Sequence, residues 1–173
     1  KNNLNYLLFK NLQNNIFIDL VNSTEVDEDY YRSCLKNMIT EKDEMFLSLY
    51  WLVILTCSSP YEIGKDSWRS NVEFGIFKMK YKAYQYHLSK INGIYNLDYK
   101  DIINKYDSKS TFFYIDPPYK GKEEYYINHD FSKETHKELA EFLNNIKGKF
   151  LLSYYYFDGI EELYPNCRFD SKI

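Results

Sequence analysis

The stretch Thr111–Tyr119, TFFYIDPPY, constrains this chain more than any other. Thr111 to Ile115 are aromatic or β-branched throughout, which predicts a strand buried on both faces in a parallel sheet. Two consecutive prolines then end it. Neither carries an N–H and both fix φ, so the chain leaves the ladder after Asp116 in one stiff direction, with carbonyls that no local amide claims. Asp116, Pro117, Pro118 and Tyr119 are thereby gathered at the carboxyl end of a strand, which is where ligands bind in open α/β sheets.

A carboxylate and a proline carbonyl each accept an N–H, and a tyrosine ring offers a face for stacking. Together they suit an amino group on a planar base. With both amino hydrogens held by Asp116 and the Pro117 carbonyl, the nitrogen lone pair is drawn out of conjugation and turned towards an electrophile. An ordinary strand end, with a Pro-Pro turn and Tyr119 as packing, is the competing reading, and the flanking sequence has to decide between them.

Upstream, Leu4, Leu7, Leu8, Phe9 and Leu12 fall at helical spacing. The acidic run Glu25–Asp29 reads as a solvated face ahead of a second helix through Tyr30, Leu35 and Met38. Thr40 with Asp43 marks a third start, and Met45–Thr56, apolar nearly all round, predicts a buried helix. Cys57–Asn71 has no period and is rich in Ser, Pro, Gly and Asn, which predicts a loop long enough to carry function.

In the following run, Lys78, Lys80 and Lys82 alternate with Phe77, Met79 and Tyr81. Between Pro60 and Lys90, Lys65, Arg69, Lys78, Lys80, Lys82 and Lys90 stand against Glu62, Asp66 and Glu73. Basic residues interleaved with aromatics can meet phosphates and stacked bases, and Trp68, Arg69, Lys78, Lys80 and Lys82 are the candidate DNA contacts. An exposed strand or helix face with ordinary lysines fits the same pattern. The whole chain has a net charge of −3, which speaks against a protein that coats nucleic acid non-specifically.

After Gly93 the pattern becomes regular. Ile94, Tyr95 and Leu97 predict a short strand ending at Asp98, followed by a helix over Tyr99–Lys105, a turn at Asp107 and Ser108, and the central strand. This is a βα unit of a parallel sheet, with Asp98 at the same edge as Asp116. Asp98 fits a helix cap equally well. Beyond Tyr119 a polar segment with Tyr125, Tyr126 and Phe131 could close over a base. Ser132 is the expected cap of a helix with Leu139, Phe142, Leu143 and Ile146 on one face, ended by Gly148. His136, in its first turns, reads as a structural hydrogen bonder. Phe150–Tyr156, with Ser153 inside it, is the next strand, and Ile160–Tyr164 a short helix.

The 173 residues suffice for one domain, or for a core with one insertion. Cys34, Cys57 and Cys167 are odd in number and lack metal-ligand spacing, consistent with a reduced intracellular setting. With neither a signal peptide nor a transmembrane run, the expectation is a soluble cytoplasmic protein with no metal. The opening on a helical pattern without Met suggests part of a longer protein.

From Asn96 to Pro165 the chain resembles the D12 class of DNA adenine-N6 methyltransferases, the Dam-like enzymes of restriction and modification systems. NLDYKDIINKYDSKSTFFYIDPPY, then FSKETHKELAEFL, KGKFLLSYY and IEELYP, is similar to that family's acidic strand end, DPPY strand, helix with an early His, and strand with a serine. YWLVILTCSSPYEIGKDSW is similar in placement to the family's helix and variable recognition insert. The resemblance implies an α/β fold with a Rossmann-like methyltransferase core, S-adenosylmethionine as methyl donor, and double-stranded DNA with a flipped adenine as substrate. It implies further that Asp116 and Pro117 hold the amino group, Pro118 completes the motif, Tyr119 stacks on the adenine, and Asp98 and Asp116 lie at the cofactor. A cognate restriction endonuclease is the implied partner. On this basis the chain divides into a helical part, 1–56, a candidate target-recognition insert, 57–93, and a catalytic α/β part, 94–173.

One feature of the family is missing. Its glycine-rich FxGxG loop has no counterpart in this sequence, where Gly64, Gly75 and Gly93 stand alone, so half a cofactor site is expected. Methylation of cytosine N4 or another amino nitrogen, and a non-catalytic DNA-binding remnant, are the alternatives left open.

Overall fold

The computed structural model describes residues 3–60, 62–120 and 133–170. The chain divides into two compact units, Lys1–Asn96 and Leu97–Ile173. The first is helical, with α1 (Leu4–Asn11), α2 (Asn15–Ser23), α3 (Glu28–Asn37), α4 (Glu44–Cys57) and α5 (Val72–Leu88).

Side-chain caps set three of these starts by accepting otherwise orphaned N–H groups. Asn14 takes Ile16 N–H at 3.0 Å, Asp27 takes Tyr30 N–H at 2.8 Å, and Asp43 takes Met45 N–H at 2.8 Å. The acidic run expected to be only a solvated face therefore supplies the cap of α3. Likewise Asp43 alone caps α4, whereas Thr40 donates back to Asn37 O at 3.4 Å instead of starting the helix. α4 packs against α1, α3 and α5. That is why its sequence is apolar on several sides, with Leu49, Leu52, Val53, Ile54 and Cys57 all buried.

The aperiodic stretch after α4 is pinned, not loose. Ser58 and Trp68 form an isolated antiparallel bridge, Ser59 N–H donates to Ser67 O at 2.9 Å, and Arg69 N–H donates to Cys57 O at 2.8 Å. The buried Tyr31 phenol joins this hairpin-like loop to α3, donating to Lys65 O at 2.7 Å and meeting Ser58 Oγ at 2.8 Å. Residues 1–56 and 57–93 thus belong to one folded unit.

The second unit contains α6 (Tyr99–Tyr106), β1 (Phe112–Ile115), α7 (Lys133–Leu143), β2 (Lys149–Leu152) and α8 (Ile160–Leu163). β1 and β2 pair in parallel, from Phe112 opposite Lys149 to Ile115 opposite Leu152, with α7 in the connection between them. Phe113, Ile115, Phe150 and Leu152 pack with Ile103, Leu139, Leu143 and Ile160 in a core shared with the helices. At the other end of the strands, Asp107 accepts N–H groups from Lys147 and Gly148 at 2.9 and 2.8 Å, tying the entrance of β1 to that of β2. Gly148 does not end α7. It sits where a Cβ would meet Thr111 O at 2.7 Å, so its absence of a side chain permits the close approach of the two strand entrances.

Three expectations require correction, the first being that the strand expected over Phe150–Tyr156 ends at Leu152 and leaves Ser153 outside it. Burial of β1 on both faces is not observed, because Phe112 and Tyr114 are 64% and 62% exposed and Leu151 of β2 is 55% exposed. Both faces of the strand are apolar, but among the described residues only one is covered. Nor does Ile94–Leu97 form a strand, and Asp98 follows an irregular segment. Among the described residues the result is a mixed helical fold with a two-stranded parallel sheet, a partial α/β arrangement.

Candidate active site

The parallel ladder ends with Ser153 N–H donating to Ile115 O at 2.9 Å. Asp116 and Ser153 consequently leave the sheet together at its carboxyl end. Pro117 and Pro118 prevent further pairing, and Tyr119 folds back over the strand ends. Its hydroxyl donates to Asp116 Oδ1 at 3.1 Å and lies 3.1 Å from Ser153 Oγ. Its ring lies 4.5 Å from that of Tyr155, tilted 58°, and 6.0 Å from that of Tyr154. Tyr154 is in turn hydrogen-bonded to Nδ1 of His136, which is 3% exposed. His136 therefore has the structural role its position suggests. Lys120 Nζ lies 4.0 Å from the centre of the Phe157 ring, a cation–π contact tying the next residue of the loop to the same aromatic run.

The four motif residues are thus assembled with the end of β2, and Asp116 remains exposed. Asp98 has a different local role. Its side chain accepts Lys100 N–H at 2.9 Å as the cap of α6, so the helix-cap alternative describes its local structure. Glycines with left-handed backbone are Gly64 and Gly159 among the described residues, and neither belongs to a glycine-rich turn. Among the described residues there is no glycine-rich cradle, and at the strand end the Asp116 carboxylate stands beside the Tyr119 ring. The described residues contain no group of three His, Cys, Asp or Glu able to hold a metal.

The candidate DNA contacts are dispersed. At about 100° per residue, Lys80 lies roughly opposite Lys78 on α5, while Lys82 returns to the side of Lys78. The alternating lysines therefore do not share one face of the helix. Lys78 is directed inward, donating to Thr24 O at 3.0 Å, with Glu25 at 3.5 Å. Trp68 packs on Tyr31, with ring centres 5.5 Å apart, and Arg69 pairs with Glu73 at 3.6 Å. Lys80 and Lys82 are exposed. A stripe missed in the sequence runs through Lys82, Tyr86 and Lys90 at four-residue intervals, with Lys90 Nζ 4.8 Å from the Tyr86 ring centre. Also missed were Tyr154 and Tyr155, for which the aromatic run directly after β2 was the available signal. Tyr125, Tyr126, Phe131 and Ser132 lie outside the described residues.

An acceptor-rich strand end of this kind, on a parallel strand–helix–strand unit, suits a transferase that acts on a planar amino group. The chain belongs to the D12 class N6 adenine-specific DNA methyltransferases, whose family it matches over residues 2–172. Its activity class is therefore methyl transfer to adenine N6 in DNA. No curated protein and no solved structure matches the chain. Among the described residues no helix is long and apolar enough to cross a membrane.

Proposed function

We propose that this methyltransferase takes its methyl group from S-adenosylmethionine and delivers it to an adenine flipped out of duplex DNA into the Asp116–Tyr119 loop. The observation carrying this reading is the loop itself, which leaves a parallel strand with Asp116 exposed and Tyr119 folded back onto it. S-adenosylmethionine supplies a methyl group already activated by attachment to a positively charged sulfur. Asp116 and the Pro117 carbonyl accept the two N–H bonds of the adenine amino group, Pro118 keeps the loop stiff, and the Tyr119 ring stacks on the base. Once methylated, the amino nitrogen would carry a surplus proton, which Asp116 would take and pass to water.

Asp98 and Asp116 are the proposed cofactor contacts, the former through chemistry additional to its capping bond. A Rossmann-like core, a target-recognition role for 57–93 and a cytoplasmic setting belong to the same proposal, as does a cognate restriction endonuclease whose site the methylation protects. On the DNA side, Trp68 and Arg69 are proposed to act from the pinned loop, and the exposed Lys80 and Lys82 from different sides of α5. Lys78 remains a candidate only if its bond to Thr24 opens.

Labelled methyl transfer from S-adenosylmethionine to duplex DNA by the full-length protein tests the reading. Label in 6-methyladenine is expected, and Asp116→Ala should abolish it even at saturating S-adenosylmethionine. Label only in 4-methylcytosine or protein, or undiminished turnover in the variant, would overturn it.

A further inference from the structure

Ser153 is the first residue after β2, and its backbone and side chain meet the same loop. Its N–H donates to Ile115 O, immediately before Asp116, at 2.9 Å, while its Oγ lies 3.1 Å from the Tyr119 hydroxyl. That hydroxyl has one proton and two oxygen partners. An ionised carboxylate only accepts, so the Tyr119 proton goes to Asp116 Oδ1 and the Ser153 hydroxyl must donate to Tyr119. The direction of the chain is thereby fixed, from Ser153 through Tyr119 to Asp116, with 3.1 Å at each link.

Both links are at the long end for O–H···O bonds. A chain of that strength can orient a carboxylate without locking it against a substrate. It occupies Asp116 Oδ1, while Oδ2 has no partner among the described residues. We propose that Ser153 is a positioning residue for methyl transfer: it holds the Tyr119 hydroxyl on Asp116 Oδ1, keeps the Tyr119 ring over the strand ends, and leaves Oδ2 for the amino group. This rests on Asp116 being the amino-group acceptor.

The roles can be separated in the full-length protein by steady-state methylation of duplex DNA with Ser153→Ala, Tyr119→Phe and the double variant. Ser153→Ala is expected to lower kcat roughly tenfold through misorientation of the acceptor group, with KM for DNA within about twofold and the unfolding midpoint near that of the unaltered protein. Tyr119→Phe keeps the ring but breaks the chain, and should lower kcat similarly. Adding Ser153→Ala to Tyr119→Phe should then change nothing further, because Ser153 acts through the missing hydroxyl.

An unchanged kcat in either single variant, or losses that multiply in the double variant, would overturn the role of Ser153. If Ser153→Ala fails to fold, Tyr119→Phe with undiminished kcat still does so. Failure of the underlying proposal looks different: the unaltered protein forms no 6-methyladenine, or Asp116→Ala methylates normally.

Discussion

Tyr31→Phe offers a direct measure of how the loop after α4 is held. The phenol is fully buried, and its single proton goes to Lys65 O at 2.7 Å. Ser58 Oγ, 2.8 Å away, must therefore donate to the phenol oxygen, and Ser58 is itself only 4% exposed. Removal of the oxygen leaves these partners unequal. Lys65 is exposed, so its carbonyl can turn to water, whereas the Ser58 hydroxyl stays buried without its acceptor. One lost hydrogen bond at about 1 kcal/mol, with part of the 1–3 kcal/mol cost of an orphaned buried group, gives a loss of about 2 kcal/mol. For a unit of this length that corresponds to a fall of ~8–16 °C in Tm. Urea unfolding followed by tryptophan fluorescence is a suitable assay, since Trp68 packs on the Tyr31 ring. Adding Ser58→Ala to Tyr31→Phe should recover about 1 kcal/mol by removing the orphaned hydroxyl. A loss below about 0.5 kcal/mol, or further destabilisation by Ser58→Ala, would refute the assignment of donors and burial.

The lysines of α5 should divide by role. Lys80→Gln combined with Lys82→Gln should reduce the logarithmic salt slope of DNA binding by roughly 2, measured by fluorescence anisotropy across a salt series. Lys78→Met should lower the unfolding midpoint through lost contact with Thr24 and leave the salt slope unchanged. A third prediction concerns Asp107, whose carboxyl is held below its ordinary value chiefly by the N–H of Lys147, with a further contribution from Gly148. Because the folded-state pKa is depressed, its stabilisation is complete above the unfolded value near 3.8 and disappears as pH falls through the lower folded value. Asp107→Asn should therefore lower the urea midpoint at pH 7, and the gap to the unaltered protein should narrow towards pH 2. A constant gap over that range would exclude this linkage.

The turn at Asp116–Tyr119 was legible because its signal is local. Proline chemistry ends β1 after Ile115 whatever surrounds it, and an apolar run of four to five residues implies a strand. Burial was harder to read, because Phe112 and Tyr114 reveal their exposure only when neighbouring elements are known. Asp98 shows the same limit. A carboxylate before a helix reads equally as a cap or a strand end, and the outcome depends on whether Ile94–Leu97 finds a pairing partner. In α5 the alternating lysines suggested a face with a two-residue period, but the segment is a helix and the period of about 3.6 separates them. Tyr31 could not be assigned a role from sequence, since Ser58 and Lys65 lie 27 and 34 residues away.

The surroundings of Tyr119 restrict the stacking role proposed for it. An aromatic base inserted between two rings needs about 3.5 Å of van der Waals contact on each side, hence roughly 7 Å between ring planes. The Tyr119–Tyr155 centres are 4.5 Å apart with a 58° tilt, and the Tyr119–Tyr154 centres are 6.0 Å apart with a 41° tilt. Neither pair leaves that space. Tyr154 and Tyr155 are thus supports for Tyr119 in this arrangement, and Tyr154 is itself braced by the buried His136. With the hydroxyl tethered to Asp116 and Ser153 and the ring packed beside two neighbours, Tyr119 has already lost much of its rotational freedom. The stacking role proposed for Tyr119 would therefore use a ring ordered in advance, which reduces the entropy cost of binding.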